Sequence, residues 1–298
     1  MLSPGQILQQ RYAIEKVLGE GGMGAVYLAR QTRIGGKRVA IKEVRLDLHD
    51  EKARTRAIAQ FHAEAEILSS LDHLGLVKVL GSFVEETAEY LVMEYIDGQT
   101  LDGLLHRQRQ FLPVAQVVSW MDQLCAVLLY LHTHEPQVIF RDLKPSNIML
   151  DSAGRIRLID FGIAKTADQD LSKTSTLIKG AGTHGFAPPE QYGSGTTDPR
   201  SDIYSLGATM FVLLTRILPP PSIAIASGEK SVPPPSQMNP SVPPGLDQVV
   251  LKCMASRKAD RFQSIEEVRR ALEVAWAMSS VAFMTSRFCP HCGVAMQP

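Results

Sequence analysis

Apolar positions in the first hundred residues fall in short runs with strand character. RYAIEKVLGE, AVYLARQ and KRVAIKEVRL are β-prone and punctuated by glycines, and YLVMEYI, Tyr90 to Ile96, is a further strand. Before it, Ala57, Phe61, Glu64, Leu68 and Leu71 recur at spacings of four and three, which predicts a helix over about Glu51 to Leu71. Beyond Gly98 the period becomes helical. Val114 to His132 carries a strong apolar repeat, and Asp202 to Thr215 is apolar almost all round, as a buried helix would be. Leu246 to Met254 and Ile265 to Met278 complete the helical series. Pro219 to Gly245 holds 9 of the 18 prolines and reads as an irregular surface connection. The pattern predicts an α+β protein, a small β-rich part followed by a larger α-rich one. The expected divisions are 1–97, 98–277 and a tail, 278–298.

Composition narrows the class. The 298 residues are 45% apolar and 21% charged, ordinary for a globular protein with a substantial core. Lys and Arg together number 31, as do Asp and Glu, so the basic footprint of a nucleic-acid partner is missing. The start, MLSPGQILQQRYAIEK, has no basic-then-apolar leader, and the apolar stretch Val274 to Met284 is about half a bilayer span. A cytoplasmic protein without a membrane span is expected. Cys125 and Cys253 sit alone in apolar helical patterns and read as core thiols.

Several short stretches carry chemistry. Gly19, Glu20, Gly21, Gly22, Met23 and Gly24 lie between two β-prone runs. Such glycines let backbone N–H groups approach phosphates, although a plain glycine hairpin would look the same. A strand follows them where a dinucleotide-binding fingerprint needs a helix. Lys42 lies in an apolar strand, where a charge needs a partner. Glu64, on the apolar stripe of the following helix, is a candidate, or else a surface residue at the stripe's edge. The loop FRDLKPSN, Phe140 to Asn147, gathers a carboxylate, a cation and an amide. Asp142 suits proton acceptance from a hydroxyl, Lys144 suits a moving phosphoryl group, and Asn147 suits Mg²⁺ as an oxygen ligand. IMLDSAGRIRLIDFG then reads as a β-hairpin ending at Asp160, a second hard ligand.

Gly19 to Gly24, Lys42, Glu64, Asp142 to Asn147 and Asp160 follow the order and register of protein kinases. The chain resembles the eukaryotic-like serine/threonine kinases of bacteria over about Gln10 to Val274. The resemblance implies a bilobal kinase fold and transfer of the γ-phosphoryl of ATP to serine or threonine of a protein substrate. It implies that the glycine loop covers ATP, with Val26 and Ala40 against the adenine, Met93 behind it, and the backbone of Glu94 to Ile96 at its edge. Lys42 would hold the α- and β-phosphates, oriented by Glu64, and Asn147 and Asp160 would hold Mg²⁺. Asp142 is then the base, Lys144 the γ-phosphate cation, and Thr183 a bridge between them. Glu190 is expected to pair with Arg261. Asp202 is expected to hold the backbone of the catalytic loop, or to cap its own helix, or both. Ser172, Thr174, Ser175 and Thr176 form a cluster where phosphorylation would recruit Arg141 and activate the enzyme.

Two departures stand out. Phe140 occupies a position where the family usually has His, and is expected to pack rather than titrate. The Pro-rich stretch is short where kinases usually place a helix beside the substrate. The tail carries Cys289-Pro-His-Cys292-Gly, which resembles one knuckle of a zinc ribbon. A half zinc site completed by a second copy or a partner, a redox pair and an inert tail are the alternatives. The rival to an active enzyme is a nucleotide-binding scaffold, whose mark would be loss of Lys42, Asp142 or Asp160; all three are present. A homodimer or partner would engage through the activation loop or the cysteine tail.

Overall fold

The computed structural model describes residues 1–21, 24–33, 35–44, 51–85, 88–160, 185–192 and 195–285, with side chains at all of these except 51–54, 56, 57, 60, 64 and 279–285. The chain divides into two compact units. One comprises Met1–Gly98 with Arg157–Ile159; the other comprises Gln99–Ile156 and the described residues from Asp160 onward.

The first unit is built on strands β1 (Ile7–Leu8), β2 (Tyr12–Gly21), β3 (Gly24–Gln31), β4 (Arg38–Val44), β5 (Val79–Glu85) and β6 (Ala88–Glu94). They form one antiparallel sheet in the order β1-β2-β3-β4-β6-β5. The sheet curls enough for β2 and β5 to meet. Tyr12 stacks on Phe83 at 5.8 Å between ring centroids, and Phe83 stacks on Tyr90 at 5.0 Å. The Gln9 amide also donates to Glu85 Oε2 at 2.8 Å. Inside the curl, Tyr12, Ile14, Tyr27, Val39, Ile41 and Val92 form a buried cluster. Period-two alternation puts them on one face of the sheet. Helix α1 (Glu51–Ser70) packs against β5 and buries Phe61, Ala65 and Leu68.

The second unit starts at Gln99 within β7 (Gly98–Thr100), and α2 (Leu101–Arg107) and α3 (Val114–Thr133) follow. Strand β8 (Ile148–Asp151) follows, and β7, β8 and β9 (Ile156–Leu158) form a three-stranded sheet in that order. Helices α4 (Pro199–Thr215), α5 (Ser222–Ala226), α6 (Pro244–Cys253) and α7 (Ile265–Thr285) follow among the described residues. α4 is the axis of this unit, buried from Ser201 through Thr215 and packed against α3, α6 and α7. α4 and α6 approach closely at Gly207, where a Cβ would lie 2.5 Å from that of Cys253. Cys125 and Cys253 are core thiols, and burial pushes Cys125 up to about 12. α3 is long and apolar enough to cross a membrane, but Val117, Met121, Leu124 and Leu128 are buried and the helix packs on α4 and α7.

Three expectations need correction. α4 begins before Asp202: Asp198 is its N-cap, accepting from the Arg200 amide, with Pro199 in the first turn and Ser201 closing a capping box. Asp202 therefore does not cap the helix. The Pro-rich stretch is not wholly irregular or superficial. It contains α5, and buried Asn239 donates its amide to the Leu214 carbonyl at 2.8 Å, fastening the segment to the end of α4. α7 continues to Thr285, past the expected Met278.

Candidate active site

In the second unit, Val138, Ile139 and Phe140 are buried side by side and anchor the loop that follows. Phe140 is fully buried, as expected of a packing residue. Asp202, fully buried on α4, accepts from the Phe140 amide at 2.8 Å and the Arg141 amide at 2.7 Å. His132 Nε2 meets the same carboxylate at 2.8 Å. These bonds hold Arg141 at φ 67°, a left-handed conformation costly for a side chain with a Cβ. Gln191 Nε2 donates to the Arg141 carbonyl at 3.0 Å, and Thr209 donates to the Leu143 carbonyl at 3.3 Å. The loop is thus clamped on both sides of Asp142.

The structure brings Asp142, Lys144 and Asn147 together. Lys144 Nζ lies 2.8 Å from Asp142 Oδ2. Asn147 Nδ2 donates to the backbone carbonyl and to Oδ2 of Asp142, both at 2.8 Å. The Asn147 amide nitrogen is thereby committed to Asp142, and Oδ1 is the atom it can offer a hard cation. Asp160 lies two residues beyond β9 and is half-buried.

In the first unit, strand register gathers the residues expected around a nucleotide. Val26 on β3 is directly opposite Lys42 on β4, and Ala40 is directly opposite Met93 on β6. Opposed residues of an antiparallel pair share a face, and Ala40 and Lys42 share one by period two. Val26, Ala40, Lys42 and Met93 therefore line one face, opposite to the buried Tyr27–Ile41 cluster. Val26, Ala40 and Lys42 are half-exposed there, while Met93 is buried. Gly19, Glu20 and Gly21 end β2 against the start of β3, with Gly19 opposite Val26, Glu20 opposite Ala25 and Gly21 opposite Gly24. Gly24 has φ 133°, and a Cβ there would come within 1.9 Å of the Glu43 carbonyl, so this position requires glycine. Ile96 is buried, and Glu94 at the end of β6 is half-buried. Gly22, Met23, Thr183, the activation-loop hydroxyls, Cys289 and Cys292 lie outside the described residues, as does the Glu64 side chain. Among the described residues, no group of three or more His, Cys, Asp or Glu side chains is arranged around a metal.

Glu190 and Arg261 form the expected pair, with Arg261 Nη1 and Nη2 donating to the two carboxylate oxygens at 2.7 and 3.0 Å. Arg261 also donates to the carbonyls of Arg200, Ala255 and Ser256, so its fully buried guanidinium is well satisfied. Burial pushes the Glu190 carboxyl up, but Arg261 and Ser201 outweigh it and hold the carboxyl below its ordinary value.

His132, Gln191 and Thr209 hold the loop without standing out as site residues in the sequence. His132 in the last turn of an apolar helix was a readable oddity. Gln191 and Thr209 carried no local signal.

The family model for the protein kinase domain matches residues 12–276. The chain is 34% identical over 278 residues to the probable serine/threonine-protein kinase PknB of Lactococcus lactis, covering 90% of this chain and 42% of that protein. It is 33% identical to the serine/threonine-protein kinase PrkC of Bacillus subtilis, covering 91% and 41%. The chain thus spans about two-fifths of the length of these relatives. Among solved structures, the PknI kinase domain of Mycobacterium tuberculosis superposes with a TM-score of 0.73 at 26% identity, covering 93% of this chain and all of that one. With the fold, the loop geometry and the family match in agreement, this chain belongs to the protein kinase domain family.

Proposed function

We propose that the chain is an active serine/threonine protein kinase, transferring the γ-phosphoryl group of Mg·ATP to hydroxyls of protein substrates. The observation that carries this reading is the Asp142–Lys144–Asn147 cluster on a clamped loop. A carboxylate fixed by a lysine and an amide is oriented as a proton acceptor. The hydroxyl oxygen of the substrate forms a bond to the γ-phosphorus, its proton passes to Asp142, and the bond to the bridging oxygen of ADP breaks. Lys144 neutralises charge on the transferred group. Val26, Ala40 and Met93 would meet the adenine, with the backbone from Glu94 to Ile96 at its edge and the glycine loop over the phosphates. Lys42 would bind the α- and β-phosphates, with Glu64 orienting it. Asn147 and Asp160 would hold Mg²⁺, which when bound neutralises phosphate oxygens.

Thr183 would support Asp142 and Lys144. Phosphorylation at Thr174 or Thr176 would bring a phosphate to Arg141 and raise activity. Signalling in the cytoplasm, dimerisation through the activation loop, and a zinc site completed at Cys289 and Cys292 by a second chain belong to the same proposal and rest on the sequence alone. The test is incubation with ATP and Mg²⁺, followed by mapping of phosphosites by mass spectrometry. Phosphoserine or phosphothreonine in the parent and none in Asp142→Asn is the expected result. A chain that binds ATP and yields no phosphosite is a nucleotide-binding scaffold, and the catalytic reading fails.

A further inference from the structure

Helix α1 lies over one face of the sheet in the first unit, and strand register says what that face offers it. Ser82 on β5 is opposite Leu91 on β6, Leu91 is opposite Lys42 on β4, and Lys42 is opposite Val26 on β3. Opposed residues share a face, so these four form one row across the sheet. The next row on the same face runs Val84, Glu89, Val44. The two rows place Lys42 and the buried carboxylate of Glu89 on neighbouring strands, one diagonal step apart.

α1 buries Phe61, Ala65 and Leu68. That stripe is apolar, and apolar contact is non-directional, so it holds the helix on the sheet without fixing its roll. His62 supplies the direction. Its Nε2 lies 3.3 Å from Glu89 Oε2, and its Nδ1 meets Ser82 Oγ at 3.4 Å. The ring thereby touches both rows, at Ser82 in the row of Lys42 and at Glu89 in the next. It stands edge-on to the Phe61 ring at 5.5 Å between centroids. The Glu89 side chain is 3% exposed, and a carboxylate so buried has to be met by polar partners.

Helix geometry carries this constraint to Glu64. At about 100° per residue, His62 falls about 100° to one side of Phe61, and the Glu64 position about 60° to the other. The two positions flank the buried stripe, so one roll of the helix moves both. A roll of about 20° shifts a side-chain end, roughly 5–6 Å from the axis, by about 2 Å. That is more than a hydrogen bond to Lys42 tolerates.

We propose that His62 is a positioning residue for the phosphate-binding lysine: through Ser82 and Glu89 it fixes the roll of α1 over the row that carries Lys42, and so sets Glu64 against Lys42. This role rests on the pairing of Lys42 with Glu64 assigned above, and every residue in it belongs to the first unit.

The experiment measures, by mass spectrometry, the rate at which an amine-reactive reagent acetylates Lys42 in the full chain without nucleotide, alongside ATP-dependent transfer and thermal denaturation. A lysine held in an ion pair is acetylated slowly, because its amine stays charged. Glu64→Gln calibrates the readout: it should speed acetylation of Lys42 by about fivefold and lower kcat/KM for ATP. His62→Leu should speed acetylation similarly and lower kcat/KM by about tenfold or more. His62→Gln, whose amide can donate to Glu89 and accept from Ser82, should recover most of both. In Glu64→Gln combined with His62→Leu, acetylation should be no faster than in Glu64→Gln alone, although the melting temperature still falls. A contact that only stabilises the fold would not be silenced in that way. A folded His62→Leu variant acetylated at Lys42 as slowly as the parent overturns the proposal while leaving the pairing of Lys42 with Glu64 standing. So does a His62→Gln variant no better than His62→Leu. If His62→Leu does not fold, Glu89→Gln decides: a rate equal to that of the parent overturns it. If Glu64→Gln changes neither the Lys42 rate nor transfer, the pairing itself is absent and the role of His62 falls with it.

Discussion

Replacing Asp202 with Asn tests whether the catalytic loop is held by a buried charge. The carboxylate is fully buried and accepts from two backbone amides at 2.7 and 2.8 Å and contacts His132 at 2.8 Å. Asn has one carbonyl oxygen, so it can serve the Phe140 amide and His132, or the Arg141 amide, but not both sides. Its NH₂ then faces a donor. The loss is at least one bond to a charged acceptor, about 1.5–3 kcal/mol, plus a buried donor left unmet, about 1–3 kcal/mol. A destabilisation of about 3–5 kcal/mol is expected, in line with breaking a buried charged pair. In a chain of this size that is a fall in melting temperature on the order of 10 °C. The functional consequence follows from φ 67° at Arg141. Released from Asp202, Arg141 can relax to negative φ, which rotates the next peptide and moves Asp142 away from Lys144 and Asn147. Turnover should therefore fall by about 10²-fold or more, while affinity for Mg·ATP stays within about threefold, because the bases of that affinity lie elsewhere. The assay pairs thermal denaturation with nucleotide titration and steady-state transfer. A variant that melts within two or so degrees of the parent, or loses affinity and turnover in equal measure, refutes the clamp.

Other perturbations separate the remaining parts. Phe140→Ala should cost about 3–5 kcal/mol through the cavity it opens, whereas Phe140→His should retain transfer within about tenfold; equal melting temperatures for the alanine variant and the parent would contradict burial of the ring. Asp142→Asn should slow transfer by roughly 10²–10⁴-fold with Mg·ATP affinity kept, and Asp160→Asn should weaken that affinity; equal affinity losses would undo the assigned roles. Acid should unfold the second unit early. Burial raises the Asp198 carboxyl, but Arg200 and Lys258 overcome it and hold it at about 2, against an ordinary 3.8, and Glu190 is held below its ordinary 4.5. Both carboxyls are depressed on folding, so their stabilisation is present above about pH 4.5 and is lost as pH falls toward 2; urea midpoints measured from pH 6 to 3 should decline, and Asp198→Asn should flatten part of that decline. Metal analysis of the purified chain should find about half a zinc per chain in a dimer and none in a monomer, and a full zinc in a monomer would exclude a shared half-site.

The chemistry of the candidate site was legible because its key residues lie within one loop. Asp142, Lys144 and Asn147 are near neighbours in sequence, so their meeting depends on local geometry that a short turn enforces. The sheet was legible for a related reason: alternation in KRVAIKEV already assigns Ala40 and Lys42 to one face and Val39 and Ile41 to the other. The start of α4 was also present in the sequence, since Asp198-Pro199 is an N-cap followed by a proline in the first turn. The apolar run begins only after this polar first turn, so apolar pattern alone puts the boundary late. The Pro-rich stretch misled differently. Proline content predicts irregular backbone, and much of that segment is irregular, but it says nothing about Asn239 reaching the Leu214 carbonyl across 25 positions. Arg157 is the sharpest case. Alternation in IRLID puts Ile156 and Leu158 inward and Arg157 outward, which is where a charged residue is usually solvated. Its surroundings are instead set by Leu158 bridging Leu76 and by Glu94, 63 residues away. An outward strand position becomes an interior one when another part of the chain covers it, and no period in the covered strand records that event. Charged residues on the outward face of a short strand are therefore the ones whose burial a sequence records least, because the segment that covers them lies far away along the chain.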